Sequence, residues 1–318
     1  MALTAYAIRF LTDAKDVIEI DKGVLDKARE FLIKKQRANG SWDIGEEKQN
    51  LLITAYIARI LAVSMKEAFQ GNEKDTKAKS EALNESVKHS LIFLRSLIDS
   101  TDEPQLLALY ALTATEIKDT NEAERINKRL EKLALNEGTG SYWALELNTP
   151  FYGWGLAGRI ETTALVVQSL SMTSKNKDLV NRGLLFLLKQ KDRYGVWYST
   201  QATINVLDAL TSLLSNNESG SNDTHVSIFV NGNLVKTVSL TSNDLITINV
   251  SDFMKTGDNS IEVKLSDKSS PSSAQLVTSY YSTWQSKDTE SINRNNSSAL
   301  RFSVNYAEDR THLSKQLI

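Results

Sequence analysis

Up to about residue 215 the apolar side chains recur every three or four positions, and beyond it every two. The first spacing predicts helices near 3–13, 22–36, 49–66, 80–98, 103–116, 119–134, 160–172, 175–190 and 199–214. Leu83, Val87, Leu91, Leu94 and Ile98 form one stripe of the fourth helix, the signature of a face packed on a core. Asp21 is a good N-cap for the second helix, which ends in Lys34, Lys35 and Arg37 before Asn39-Gly40. Segments 70–80, 136–159 and 215–224 read as loops, the last as the domain boundary. Past it, HVSIFVNGNLVKTVSL reads as a hairpin turning on Asn231-Gly232, with further strands at 244–250, 259–265, 274–284 and 299–306.

The chain also repeats itself. Residues 24–42 align without a gap on 179–197, with Phe31, Leu32, Lys34, Gly40 and Trp42 identical to Phe186, Leu187, Lys189, Gly195 and Trp197. Ala28 falls opposite Gly183, small on small. Thr-Ala recurs at 4–5, 54–55 and 163–164, each time opening a leucine-rich helix. Repeated hairpins of this kind build an open superhelix or a closed ring. The Gly-x-Trp turn followed by an inner helix favours the ring, so the expected class is mainly α: an α/α toroid with a small antiparallel β module.

Composition changes this picture little. The net charge of −2 gives no pull towards nucleic acid, and the longest apolar stretch, 51–65, is too short for a bilayer and contains Arg59. There is no cysteine, which removes disulfides, thiolate catalysis and cysteine–zinc sites. His89, His225 and His312 lack partners at metal-ligand spacing, and no phosphate loop, GxSxG or HExxH occurs. No cofactor or metal is expected. Trp42 and Trp197 read as core aromatics of the repeat rather than as ligand-stacking rings. Asp43, Glu46 and Glu47 read as a solvated acidic loop rather than an acid–base pair. The loop within 142–163 gathers Trp143, Phe151, Tyr152 and Trp154 with three glycines before Glu161; it is either functional or packed over a ring mouth. Trp154, Glu161, Tyr198 and Gln201 are the ring-centre candidates.

RIETTALVVQSL, followed by FLLKQKDRYGVWYSTQATINVLDAL, resembles the thioester domain of the alpha-2-macroglobulin and complement family. Ser199-Thr200-Gln201 carries the Ser-Thr-Gln part of that family's turn, with Tyr198 in place of a glycine, and LTAYAIRFL through Gly40-Ser41-Trp42 is similar to its middle section. The resemblance covers roughly 1–215; it implies an α/α toroid at 1–215 that lacks its N-terminal sector, a CUB-like β-rich segment at 216–290, and at 291–318 a linker and the start of a further β domain or a disordered tail. It also implies an extracellular or periplasmic parent, an endopeptidase inhibitor that traps proteases or tags surfaces through a Cys-Gln thioester. Without cysteine this chain is expected to be a non-catalytic fragment of such a protein, not an enzyme, with no membrane insertion and with self-association through an open toroid. Two alternatives stand beside it: a glycan-binding or glycan-cleaving toroid, and a protein-interaction module that has lost thioester chemistry. Terpene cyclases are set aside because no DxDD or DDxxD motif occurs, and protein prenyltransferases because their zinc site needs cysteine.

Overall fold

A computed structural model describes residues 1–278, apart from 15–16, 43–46, 68, 146–147, 152, 174, 193, 216–223, 241–245, 267–273, 275 and 277. Residues 1–270 form one compact unit and 271–318 a second. The loop expected to mark the domain boundary falls mainly on 216–223, outside the described residues.

All nine expected helices are present: α1 (Ala2–Ala14), α2 (Lys22–Lys35), α3 (Glu47–Ser64), α4 (Glu73–Ile98), α5 (Pro104–Glu116), α6 (Thr120–Lys132), α7 (Gly155–Thr173), α8 (Lys177–Lys189) and α9 (Thr200–Ser215). They sort into two kinds. Every residue of α5 from Pro104 to Ala114 is buried, and the α3 run 52–62 likewise. In α6 only Ala123, Ile126, Asn127 and Leu130 are buried, all on one stripe. Helices apolar all round belong inside and amphipathic ones outside. Accordingly α3 and α5 are central in a row in which α1, α3, α5, α7 and α9 pack side by side in chain order, with the more exposed α1 and α9 at its ends. The helices α2, α4, α6 and α8 lie against the row from outside. The inner row closes on itself through Arg9 of α1, which donates to Asn205 Oδ1 at 2.8 Å and pairs with Asp208, both on α9. The helices therefore make a ring, with one continuous core running through it.

Tryptophan clips join outer helices to inner ones at three places. Trp42, Trp143 and Trp197 donate their indole N–H to the carbonyls of Leu32, Leu130 and Leu187, at 2.9, 2.7 and 2.6 Å. Each acceptor lies in the last turn of α2, α6 or α8, where carbonyls have no partner within the helix. The backbone N–H of the same tryptophans donates to Thr54, Thr163 and Thr203 Oγ1, each at 3.1 Å, on the next inner helix. The Thr54 and Thr203 hydroxyls donate back to the Trp42 and Trp197 carbonyls. One side chain thus ends an outer helix and seats its successor. A polar network does similar work further round: Tyr110 of α5 donates to Glu122 of α6 at 2.9 Å, and Arg125 of α6 pairs with Glu122 at 2.8 Å and reaches Asp99 at the end of α4.

Three sequence expectations need correction. Most of 70–80 is helix, because α4 starts at Glu73 behind Asn72, whose side chain caps Asp75 N at 2.9 Å. The segment 136–159 is not one loop: it opens with a hairpin of β1 (Leu135–Glu137) and β2 (Gly140–Tyr142), and α7 starts within it at Gly155. Trp143 is wholly buried in the core, so it is a clip and not part of a mouth loop.

The β module is an antiparallel sheet in the order β4 (Asn233–Leu240), β3 (Thr224–Val230), β5 (Ile261–Leu265). Asn231 and Gly232 take φ of 52° and 81°, the left-handed pair that a two-residue type I′ turn demands. Val226, Ile228 and Val230 are buried along β3. The described residues of the expected strand 244–250 are irregular. The same holds for residues 274, 276 and 278 of the strand expected at 274–284. The rest of that strand and the one at 299–306 lie outside the described residues.

Candidate functional site

The inner helices enclose a cavity of about 390 Å³. Its walls come from all five of them, and Pro150 and Phe151 of the α7 approach add to the lining. Phe151 packs edge-on against Tyr6 and Tyr56, with ring centroids 5.6 and 5.3 Å apart.

Two charge groups sit on the walls. Arg59 of α3 pairs with Glu116 of α5 at 2.8 Å, and Lys66 pairs with the same carboxylate at 2.8 Å. Burial lowers the Arg59 pKa and Glu116 offsets it. Burial likewise works against ionisation of Glu116, but Arg59 and Lys66 outweigh it and hold its carboxyl below the usual range. The second group is Arg9 with Asn205 and Asp208, which closes the ring. Beside it, burial pushes the Tyr56 phenol up to about 12, and the neighbouring Arg9 pulls the other way.

Glu161 differs from both groups. It lies in the second turn of α7, only 3 % exposed, and no basic side chain pairs with it among the described residues. Burial raises its pKa, against hydrogen bonds from Thr149 and Ser199. Ser199 donates to Oε1 at 3.5 Å, and its Oγ also accepts Ala202 N–H at 3.0 Å, capping α9. On the other side Gly153 lies so close that a Cβ there would stand 2.8 Å from both Glu161 Oε1 and Thr149 Oγ1. The Gly153 N–H donates to Thr149 Oγ1 at 2.8 Å, and its carbonyl accepts from Thr149 N at 2.9 Å. Thr149 and Gly153 thus lie against the carboxyl, and at 153 only glycine leaves room for it.

No group of His, Asp or Glu able to hold a metal occurs among the described residues, and none of the described helices is long and apolar enough to cross a membrane. A family model of the A-macroglobulin TED domain, the thioester domain, matches residues 1–213. The chain belongs to that family. No curated protein sequence matches it.

In this thioester-domain chain the four ring-centre candidates separate into two pairs. Glu161 and Gln201 line the cavity. Trp154 and Tyr198 are 76 % and 77 % exposed, each one residue away from a residue that touches Glu161. The Ser-Thr-Gln turn has a structural explanation here: Ser199 starts α9 and reaches Glu161, while Gln201 faces the cavity. Sequence reading missed Tyr56, Arg9 and Gln105 as cavity residues. Arg9 and Tyr56 follow the Thr-Ala repeats at 4–5 and 54–55, but nothing in that repeat marks them as cavity residues, and only the closure of the ring brings them together with Gln105. The acidic cluster Asp43, Glu46 and Glu47 lies outside the residues whose side chains are described.

Proposed function

We propose that this chain is the scaffold portion of an alpha-2-macroglobulin-like protein that traps proteases or tags surfaces, and that it performs no chemistry itself. The observation that carries this reading is the thioester-domain match over 1–213 in a sequence without cysteine. A thioester needs a thiol, so the reactive pair belongs to residues outside this sequence in the parent protein. The ring then holds a reactive segment in place, and the β module is its CUB-like neighbour. The family's setting makes the parent extracellular or periplasmic, with proteases or surface hydroxyls as its targets. The test is to challenge the parent protein with an active protease and denature the mixture. Adducts that survive denaturant, and disappear after methylamine pretreatment, support covalent trapping. Absence of any adduct leaves a non-covalent interaction module.

A second reading, glycan binding, draws on Trp154 and Tyr198, two exposed rings on loops that both meet Glu161. Stacking on such rings would appear as quenched tryptophan fluorescence on adding oligosaccharides, lost in Trp154→Ala.

A further inference from the structure

We infer that the ring cavity binds a small organic ammonium compound, a linear diamine by class. The inference does not depend on thioester chemistry, because it uses only side chains of this chain. Three observations meet in one cavity.

First, Glu161 is a buried carboxyl without a basic partner among the described residues, whereas the neighbouring Glu116 and Asp208 each hold a cation. Buried charges are otherwise paired or bound to a cation. Second, three further polar atoms of the walls have no hydrogen-bond partner among the described residues: Thr12 Oγ1, Tyr56 Oη and Gln105 Oε1. Tyr56 and Gln105 are the most deeply buried of the three residues, 6 % and 2 % exposed. Buried polar groups without partners are uncommon, and each one in a native fold calls for an occupant or a cost. Gln105 Oε1 can only accept, Tyr56 Oη accepts as well as donates, and Glu161 is an acceptor when ionised. The set therefore asks for a ligand rich in N–H donors. Third, the cavity walls carry more acid than base: Arg9, Arg59 and Lys66 stand against Asp13, Glu116, Glu161 and Asp208. Arg9 is already held by Asp208 with Asp13 near it, and Arg59 and Lys66 by Glu116, which leaves Glu161 as the wall carboxyl without a basic partner among the described residues. At about 390 Å³ the space falls in the range of small-molecule sites. Tyr56 and Phe151, with Ile60, Leu109 and Leu165, provide apolar wall for a methylene chain.

The experiment titrates the full 318-residue chain calorimetrically with 1,4-diaminobutane, 1,4-butanediol and butanedioate, which share a chain length and differ in charge. The diamine is expected to bind, the diol far more weakly, and the dianion not at all. Glu161→Gln keeps the size and hydrogen-bonding shape of the side chain and should cost about tenfold or more in diamine affinity, the scale of one charge-assisted hydrogen bond. Tyr56→Phe removes a hydroxyl whose polar neighbour Arg9 is already held by Asn205 and Asp208, so it should fold about as stably as the unsubstituted chain while binding the diamine less tightly. Circular dichroism confirms that each variant is folded. Equal binding of diol and diamine, preference for the dianion, no heat from the diamine, or undiminished affinity in folded Glu161→Gln would each overturn the inference.

Discussion

At the scale of single residues, the three tryptophans show how one side chain can end a helix and begin the next. Trp143→Phe keeps most of the ring's volume but removes one of the two donors to the Leu130 carbonyl, which keeps only the Leu133 N–H at 3.2 Å. It should lower stability by about 0.5–1.5 kcal/mol in urea denaturation, the net worth of one hydrogen bond. Two of these clips were legible in the sequence, because 24–42 and 179–197 align without a gap. The third was not, because the β1–β2 hairpin lengthens the step from Leu130 to Trp143 and a further loop separates Trp143 from Thr163. Two carboxyls give opposite pH responses. Burial raises the Glu161 pKa, so its carboxyl favours the fold most below the ordinary glutamate range, and stability falls as pH rises through the folded value. In Glu161→Gln that loss between acid and neutral pH should be smaller. Arg125, and behind it Tyr110, hold Glu122 down to about 2. Its contribution is present above the ordinary range and fades as pH drops towards 2, so Glu122→Gln should flatten the acid limb of a melting-temperature profile instead.

At the scale of elements, periodicity predicted nine helices and the β hairpin, because a stripe of leucines or an Asn-Gly turn is a local signal. It failed where the signal is not apolar. The first turns of α4 carry Glu73, Asp75, Lys77 and Lys79 in place of leucines, and it is the Asn72 cap that marks the start. The repeat also contains a useful contrast. Gly40 and Gly195 occupy the same repeat position with φ of 91° and 84°. A Cβ on Gly40 would meet the His89 carbonyl oxygen at 2.2 Å, while one on Gly195 would meet nothing within 4 Å. Gly195→Ala should cost only backbone strain of about 1–2 kcal/mol, and Gly40→Ala distinctly more, because the α4 backbone must move as well. Equal losses in thermal melts would contradict that geometry.

At the scale of the whole molecule, ring formation was expected from the repeat, but how the ring closes was not readable. Arg9 lies 196 and 199 residues from Asn205 and Asp208, and no local pattern in either stretch pairs the two. On the two helices that this contact joins, Leu3 and Phe10 of α1 and Leu207 of α9 stay exposed. Exposed apolar side chains on neighbouring helices favour association. Sedimentation should therefore show the isolated chain shifting to larger species as concentration rises. Leu3→Ser combined with Phe10→Ser should hold it as a monomer. The candidate site is a whole-molecule property too: Glu161 stood out in a motif, whereas Tyr56 and Gln105 gain meaning only once five helices surround one cavity.

The proposal that this chain is the scaffold behind a covalent trap is tested most directly by the intact mass of the parent protein from its source, before and after methylamine. The account predicts a gain of about 31 Da per chain, the mass of one added amine, together with one newly titratable thiol. An unchanged mass and no new thiol would contradict it, and the chain would then be an interaction module whose family chemistry has been lost.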